Sequence, residues 1–170
     1  IDLAPPGTAP EIAVDTPNLI RFRTFSKAHG LAGLRVGYAI AAAPLARAFD
    51  KLRNHFGVGR VAQAGALAAL QDRDHLALVL EQVGRARLRL NAIARQNGLK
   101  PLPSATNFIT MDCGRDGDYA RAILRGLTAQ GVFVRMPGVA PLDRCIRVSL
   151  GDEAALVVFE AALPVAIKDA

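Results

Sequence analysis

The sequence predicts an α/β fold. Two observations carry that prediction. Short runs in which apolar residues alternate with polar ones, each about the length of a strand, are interleaved with longer stretches of helical period. Beyond Pro103 the order reads strand, helix, strand, strand, helix, which suggests an α+β sandwich with its helices on one face of the sheet.

Taken in order, residues 1–18 read as a loop with at most a helical turn over 11–14, and three prolines fall among the first ten residues. The chain opens on Ile1, not methionine, and passes straight into that loop, so we expect a fragment of a longer chain. Residues 18–25 alternate as a strand does. Residues 26–34 are small and contain Gly30 and Gly33, a turn or irregular loop. Residues 35–42 are apolar on both faces, which predicts a central strand. Pro44 suits the first turn of a helix running to about residue 53, followed by a glycine-bearing loop at 54–59. The alanine-rich stretch 60–70 is helical, with a break at 71–73. A long helix over 74–96 is stopped by Asn97-Gly98. Pro101 and Pro103 then suggest a hinge into a new unit. In that unit residues 107–112 are a strand, 117–130 a helix, 132–136 and 145–149 strands, and 152–163 a helix.

The bulk numbers fit a soluble globular protein: 170 residues, 51% hydrophobic and 21% charged. The net charge of +6 comes mostly from scattered residues. The densest basic run, Arg85, Arg87, Arg89 and then Arg95, lies in helical register and reads as a solvated face. No basic patch interleaved with aromatics points to nucleic acid. Anionic small molecules are a second reason to carry arginine. Cys113 and Cys145 are too far apart in sequence for a metal motif or a disulfide framework, and they read as buried thiols of a cytoplasmic protein. No apolar run is long enough for a membrane span, and no signal peptide is evident.

One segment carries chemistry. In Thr24-Phe25-Ser26-Lys27-Ala28-His29-Gly30, a lysine sits where a strand gives way to a glycine-bearing loop, just after two hydroxyls. Arg35 opens the next strand eight residues later. Hydroxyls and a guanidinium around one point suit a phosphate, whose oxygens accept several charge-assisted bonds. A lysine beside them can form a Schiff base if its surroundings lower its pKa. A generic loop lysine is far more often only a surface charge, so the spacing has to decide.

That spacing closely resembles the cofactor-lysine motif of fold-type I enzymes dependent on pyridoxal 5'-phosphate (PLP), in particular the histidinol-phosphate aminotransferase branch of the class I/II aminotransferases. The family's Ser/Thr-x-Ser-Lys is matched by Thr24-Phe25-Ser26-Lys27, and its Gly-x-Arg-x-Gly by Gly33-Leu34-Arg35-Val36-Gly37. Further on, Ser104-Ala105-Thr106-Asn107-Phe108 resembles the segment leading into the family's small domain. Gly131-Val132-Phe133-Val134-Arg135 and Cys145-Ile146-Arg147-Val148-Ser149 resemble two later strands. The resemblance implies a partial PLP-dependent transferase fold, with residues 1–73 as the end of the large domain and 74–170 as the linking helix and small domain. It implies Lys27 as the catalytic, cofactor-carrying lysine, and Thr24, Ser26 and Arg35 as ligands of the cofactor phosphate. Arg147 would grip the substrate carboxylate or an equivalent anion. Arg135 and Asn107 are weaker candidates for substrate contact. It also implies amino acid and 2-oxo acid substrates and a homodimer, with no metal. His29 could meet the phosphate, but packing is favoured; Tyr38, His55 and His75 read as structural or exposed.

The family's pyridine carboxylate and ring-facing tyrosine lie further upstream than the 26 residues that precede Lys27 here. Ile1-Asp2 resembles the pair that follows that tyrosine, so Asp2 is not expected to act as the carboxylate. This stretch alone is therefore expected to be inactive. A threonine-phosphate decarboxylase or aromatic aminotransferase would share Lys27, Arg35 and Arg147, and a non-catalytic effector module of the same fold is the alternative from another class.

Overall fold

A computed structural model describes residues 2–5, 7–9, 11 and 13–170. Ile1 and Ile12, on which the Ile1-Asp2 pair and the turn over 11–14 depend, lie outside the described residues. The chain divides into two compact units, residues 1–80 and 81–170.

The first unit is built on an antiparallel hairpin, β1 (Ile20–Thr24) and β2 (Gly37–Ala41), in register from Ile20 opposite Ala41 to Thr24 opposite Gly37. The central position expected for β2 is not realised. Among the described residues it pairs with β1 alone, and Gly37, Tyr38 and Ala39 are exposed. Apolar character on both faces calls for cover on both faces, and this unit supplies little. A short helix, α1 (Ala43–Ala48), follows with Pro44 in its first turn and tightens into a 3-10 turn, Phe49–Lys51. Next comes α2 (Arg60–Gln71). Asp72 alone separates it from α3 (Arg73–Gln96): its N–H closes α2 on the Ala68 carbonyl, and its carboxylate caps α3 by accepting from the His75 N–H at 2.9 Å. The break is shorter than the sequence suggests because one residue can serve both ends.

The second unit holds most of the buried apolar residues. Its sheet is antiparallel, in the order β3 (Lys100–Pro101), β4 (Phe108–Asp112), β5 (Cys145–Ser149). Ile109, Met111, Ile146 and Val148 face a core shared with α3, α4 (Gly117–Ala129) and α5 (Glu153–Lys168). This is the helix-covered sheet that the strand and helix order predicts. Asp116 and Asp152 cap α4 and α5 through the N–H groups of Tyr119 and Ala155, both at 2.9 Å.

Three expectations change here. Pro101 is not in a hinge: it lies in edge strand β3 opposite Met111, where a missing N–H is tolerated, and the division between units falls inside α3. The strand expected at 132–136 reduces to a single bridge, Arg135 opposite Arg147, and Pro137, which has no N–H, cannot extend the ladder beyond it. Helix α5 runs past Pro164 to Lys168, since Phe159, Ala162, Leu163 and Ala166 keep one buried face on both sides of the proline. That burial outweighs a penalty of about 3 kcal/mol for an internal proline.

The arginine run is more than a solvated face. Arg85 pairs with Glu81 at 2.7 Å on the helix surface. Arg89, by contrast, ties α3 to α5 through Glu153 and through Glu160 at 2.6 Å, and these partners hold its pKa above the ordinary arginine value, Glu160 most strongly. No helix of the described residues is long and apolar enough to cross a membrane.

Candidate active site

The end of β1 and the loop that follows it hold four of the residues singled out from sequence: Thr24 on the strand, and Ser26, Lys27 and Arg35 in the loop. Its neck is closed where the Phe25 N–H donates to the Val36 carbonyl at 3.4 Å. Inside, the Leu31 N–H donates to the Phe25 carbonyl at 2.9 Å and the Gly30 N–H to the Lys27 carbonyl at 3.0 Å. Phe25 and Ala28, each 2% exposed, anchor the loop. Between them Ser26 is half-buried and Lys27 exposed, so two apolar anchors present the lysine outward. The Phe25 ring packs against His29 at 5.1 Å and Tyr38 at 5.5 Å, which gives both residues a packing contact.

Gly37 is required by close approach. A Cβ there would lie 2.7 Å from the Arg23 carbonyl oxygen, so the hairpin can close only with glycine at that position. The loop's far side is a 3-10 turn, Ala32–Leu34, whose Leu34 leans on α2 at Gly65, where an added Cβ would stand 2.7 Å from a Leu34 methyl. Arg35 caps that turn in the left-handed region at φ 51°, with one guanidinium nitrogen donating to the Ala32 carbonyl at 2.6 Å. A non-glycine residue held there is strained, and such strain gathers at functional sites. Thr24 Oγ1 accepts the Ser26 N–H at 3.0 Å, which leaves the threonine hydroxyl proton free to donate outward. Asp2 is engaged by Arg23 in a partly buried ion pair, an arrangement that ties the start of the unit to β1.

The remaining three residues, Asn107, Arg135 and Arg147, lie in the second unit. Arg135 and Arg147 sit directly opposite each other and exchange both backbone hydrogen bonds, at 3.0 and 2.6 Å. Arg147 is half-buried and Arg135 exposed, and the two share the sheet face that looks away from the helices. Like charges directly opposite one another on a sheet are destabilising unless something anionic compensates. The Asn107 carbonyl accepts from the Leu150 N–H at 2.9 Å, which fixes its backbone at the start of β4. Phe108, which the sequence offers only as half of an Asn-Phe pair resembling one near the family's substrate, makes a contact not foreseen there: its ring centroid lies 4.7 Å from the Arg147 guanidinium carbon. Strand parity could have found it, since 108, 110, 147 and 149 must share one face. Among the described residues no cluster of His, Cys, Asp or Glu could hold a metal ion.

The sequence matches the family Aminotransferase class I and II over residues 6–162. It is 39% identical to histidinol-phosphate aminotransferase 2 of Ralstonia nicotianae over 151 residues, which is 86% of this chain and 40% of that protein. The fold superposes on a crystal structure of histidinol-phosphate aminotransferase from Sinorhizobium meliloti in complex with pyridoxal-5'-phosphate, with a TM-score of 0.93 and 51% identity, covering 98% of this chain and 46% of that one. L-threonine-O-3-phosphate decarboxylase from Porphyromonas gingivalis matches with a TM-score of 0.76 over 96% of this chain and 51% of its own; at 21% identity that likeness concerns the fold alone. The chain thus spans about 40% of the length of the curated relative it matches, and its fold is a part of theirs.

Proposed function

Because this chain belongs to the class I and II aminotransferases, we propose that the whole protein moves an amino group between an amino alcohol phosphate, or an amino acid, and a 2-oxo acid, with pyridoxal 5'-phosphate held on Lys27. In this proposal residues 1–73 close the large cofactor-binding domain and 74–170 form the linking helix and small domain.

The donor set fits the cofactor. A phosphate dianion needs several converging donors, and one hairpin carries the Thr24 and Ser26 hydroxyls and the Arg35 guanidinium, most of whose N–H groups are not spent on Ala32. An amine for the cofactor aldehyde stands beside them on Lys27. When bound, PLP supplies an electron sink for charge that develops at the substrate α-carbon. Lys27 would hold the cofactor through its side-chain amine, and that amine, when free, would carry the proton at the substrate Cα. Arg147 orients the substrate by its anionic group, and Asn107 lines the approach.

The observation that carries the substrate choice is the Arg135–Arg147 pair. Two arginines paired across one bridge on the same sheet face bring two positive charges to one region, which suits the double charge of a phosphate ester better than a single carboxylate. The exposed Leu52, Phe56 and Val61, at 85%, 94% and 75%, are the kind of apolar surface that a second subunit buries, which supports a homodimer. A cytoplasmic role in amino-acid biosynthesis is part of the same proposal.

Histidinol phosphate and dephosphorylated histidinol, offered to the complete protein with a 2-oxo acid, test the proposal. Amino transfer from the phosphate ester should dominate, and Arg135→Ala should lower its kcat/KM roughly ten- to hundredfold. Equal rates with both donors would remove the phosphate reading. Carbon dioxide release in place of amino transfer would make the protein a decarboxylase.

A further inference from the structure

Arg147 has a long side chain that must hold one geometry to bind an anion with both arms of its fork, and a free arginine has considerable rotamer freedom to lose. What restrains it here is aromatic. Its guanidinium carbon stands 4.7 Å from the Phe108 ring centroid, on the open face of the sheet. The two residues are diagonal neighbours: Phe108 pairs with Ser149, and Arg147 with Thr110.

The backbone that carries the ring is itself held at several points. Ser104 Oγ donates to the Phe108 carbonyl at 2.6 Å, and Thr106 Oγ1 lies 3.2 Å from the same oxygen. The Phe108 N–H donates back to Thr106 Oγ1 at 3.4 Å, and the Thr106 N–H to Ser104 Oγ at 3.1 Å. From α3, Arg87 Nη2 donates to the Thr106 carbonyl at 3.0 Å, and from beyond β5 the Leu150 N–H holds the Asn107 carbonyl at 2.9 Å. Residues 104–108 are thus fixed by their own hydroxyls, by a helix and by the neighbouring strand's extension. Simple passage into a strand needs none of the side-chain bonds.

We propose that Phe108 is a positioning residue for Arg147, its backbone held by the Ser104 and Thr106 hydroxyls and its ring against the guanidinium, so that the fork is aimed before substrate arrives. The proposal rests on the reading of Arg147 as the anion-binding residue. Pre-orientation of this kind strengthens binding and leaves the chemical step alone. The ring holds the fork, and the fork holds the anion; Phe108 need not touch the substrate.

The test is a double-mutant cycle in the complete, PLP-loaded protein, with histidinol phosphate as donor and inorganic phosphate as competitive inhibitor. Phe108→Leu should raise the KM of the donor and the Ki of phosphate together, by roughly three- to thirtyfold, the range spanned by cation–π contacts. Its kcat should stay within about twofold, as expected when only ground-state and transition-state binding change alike. Phe108→Tyr should behave as the native protein. In an Arg147→Met background, Phe108→Leu should add nothing further to KM. If Phe108→Leu does not fold, Phe108→Met fills the same space without a ring and carries the same expectation. An equal rise in KM with and without Arg147, or no rise at all while Arg147→Met gives a large one, overturns the positioning role. If Arg147→Met itself leaves KM and Ki unchanged, the anion-binding reading has failed and the positioning role goes with it.

Discussion

Lys27, Arg35 and Arg147 were singled out through motifs that resemble those of the family, and their roles belong to the proposal. Their settings were not legible. Nothing in the letters places Arg35 at φ 51° or lays Arg147 against Phe108, since both depend on how the chain closes around them. The cysteines illustrate the same division. Burial was expected for both and both are buried, but the consequence for Cys113 follows only from its place in the core. Desolvation is the largest influence on its thiol, and the pKa is pushed up to about 11 from an ordinary 9.0. The folded state therefore keeps this proton more firmly than the unfolded state does. Its contribution to stability is whole below pH 9 and is lost as pH rises through 11. Denaturant unfolding across that window should show native protein losing about 2 kcal/mol more than Cys113→Ala. Parallel alkaline profiles for the two would mean that the thiol is not desolvated.

At the scale of elements, the sequence was read correctly wherever local signals and tertiary demands agree. The strand at Cys145–Ser149 and the helix from Gly117 are such cases. It was misread where a neighbour decides. Pro164 looks like a stop, but α5 continues because its buried face does. The run at 132–136 looks like a strand, but only Arg135 finds a partner. The short strand Lys100–Pro101 was taken for a hinge because its pairing with β4 leaves no period in so few residues. Two predictions belong here. Helices α4 and α5 cross at Gly126, where an added Cβ would stand 3.0 Å from the Ala166 Cα and Cβ. Gly126→Val should therefore force the helices apart and destabilise the second unit by about 1–3 kcal/mol. Thermal unfolding checks it, and an unchanged melting temperature would mean that the crossing is looser than drawn. The caps Asp116 and Asp152 sit on separate helices. Their alanine variants should each cost about 1 kcal/mol and add in the double variant.

At the scale of the molecule, burial is unequal. Among the described residues, the first unit buries Phe25, Ala28 and Ala62, whereas the second has a continuous core from Ala86 to Ala166. Residues 81–170 expressed alone should unfold cooperatively, and residues 1–80 alone should bind hydrophobic dyes and show no sharp transition; the reverse pattern would contradict this division of stability. The proposed cofactor lysine thus lies in the unit with little buried core of its own, while the proposed anion fork lies in the unit with a continuous core. The claim on which the proposed function stands is that Lys27 carries PLP, and borohydride reduction of the complete PLP-loaded protein followed by peptide mass mapping tests it most directly. A reduced pyridoxyl group on the peptide containing Lys27, absent from Lys27→Ala, is the predicted result. The same adduct on a different lysine, or undiminished in Lys27→Ala, would contradict it.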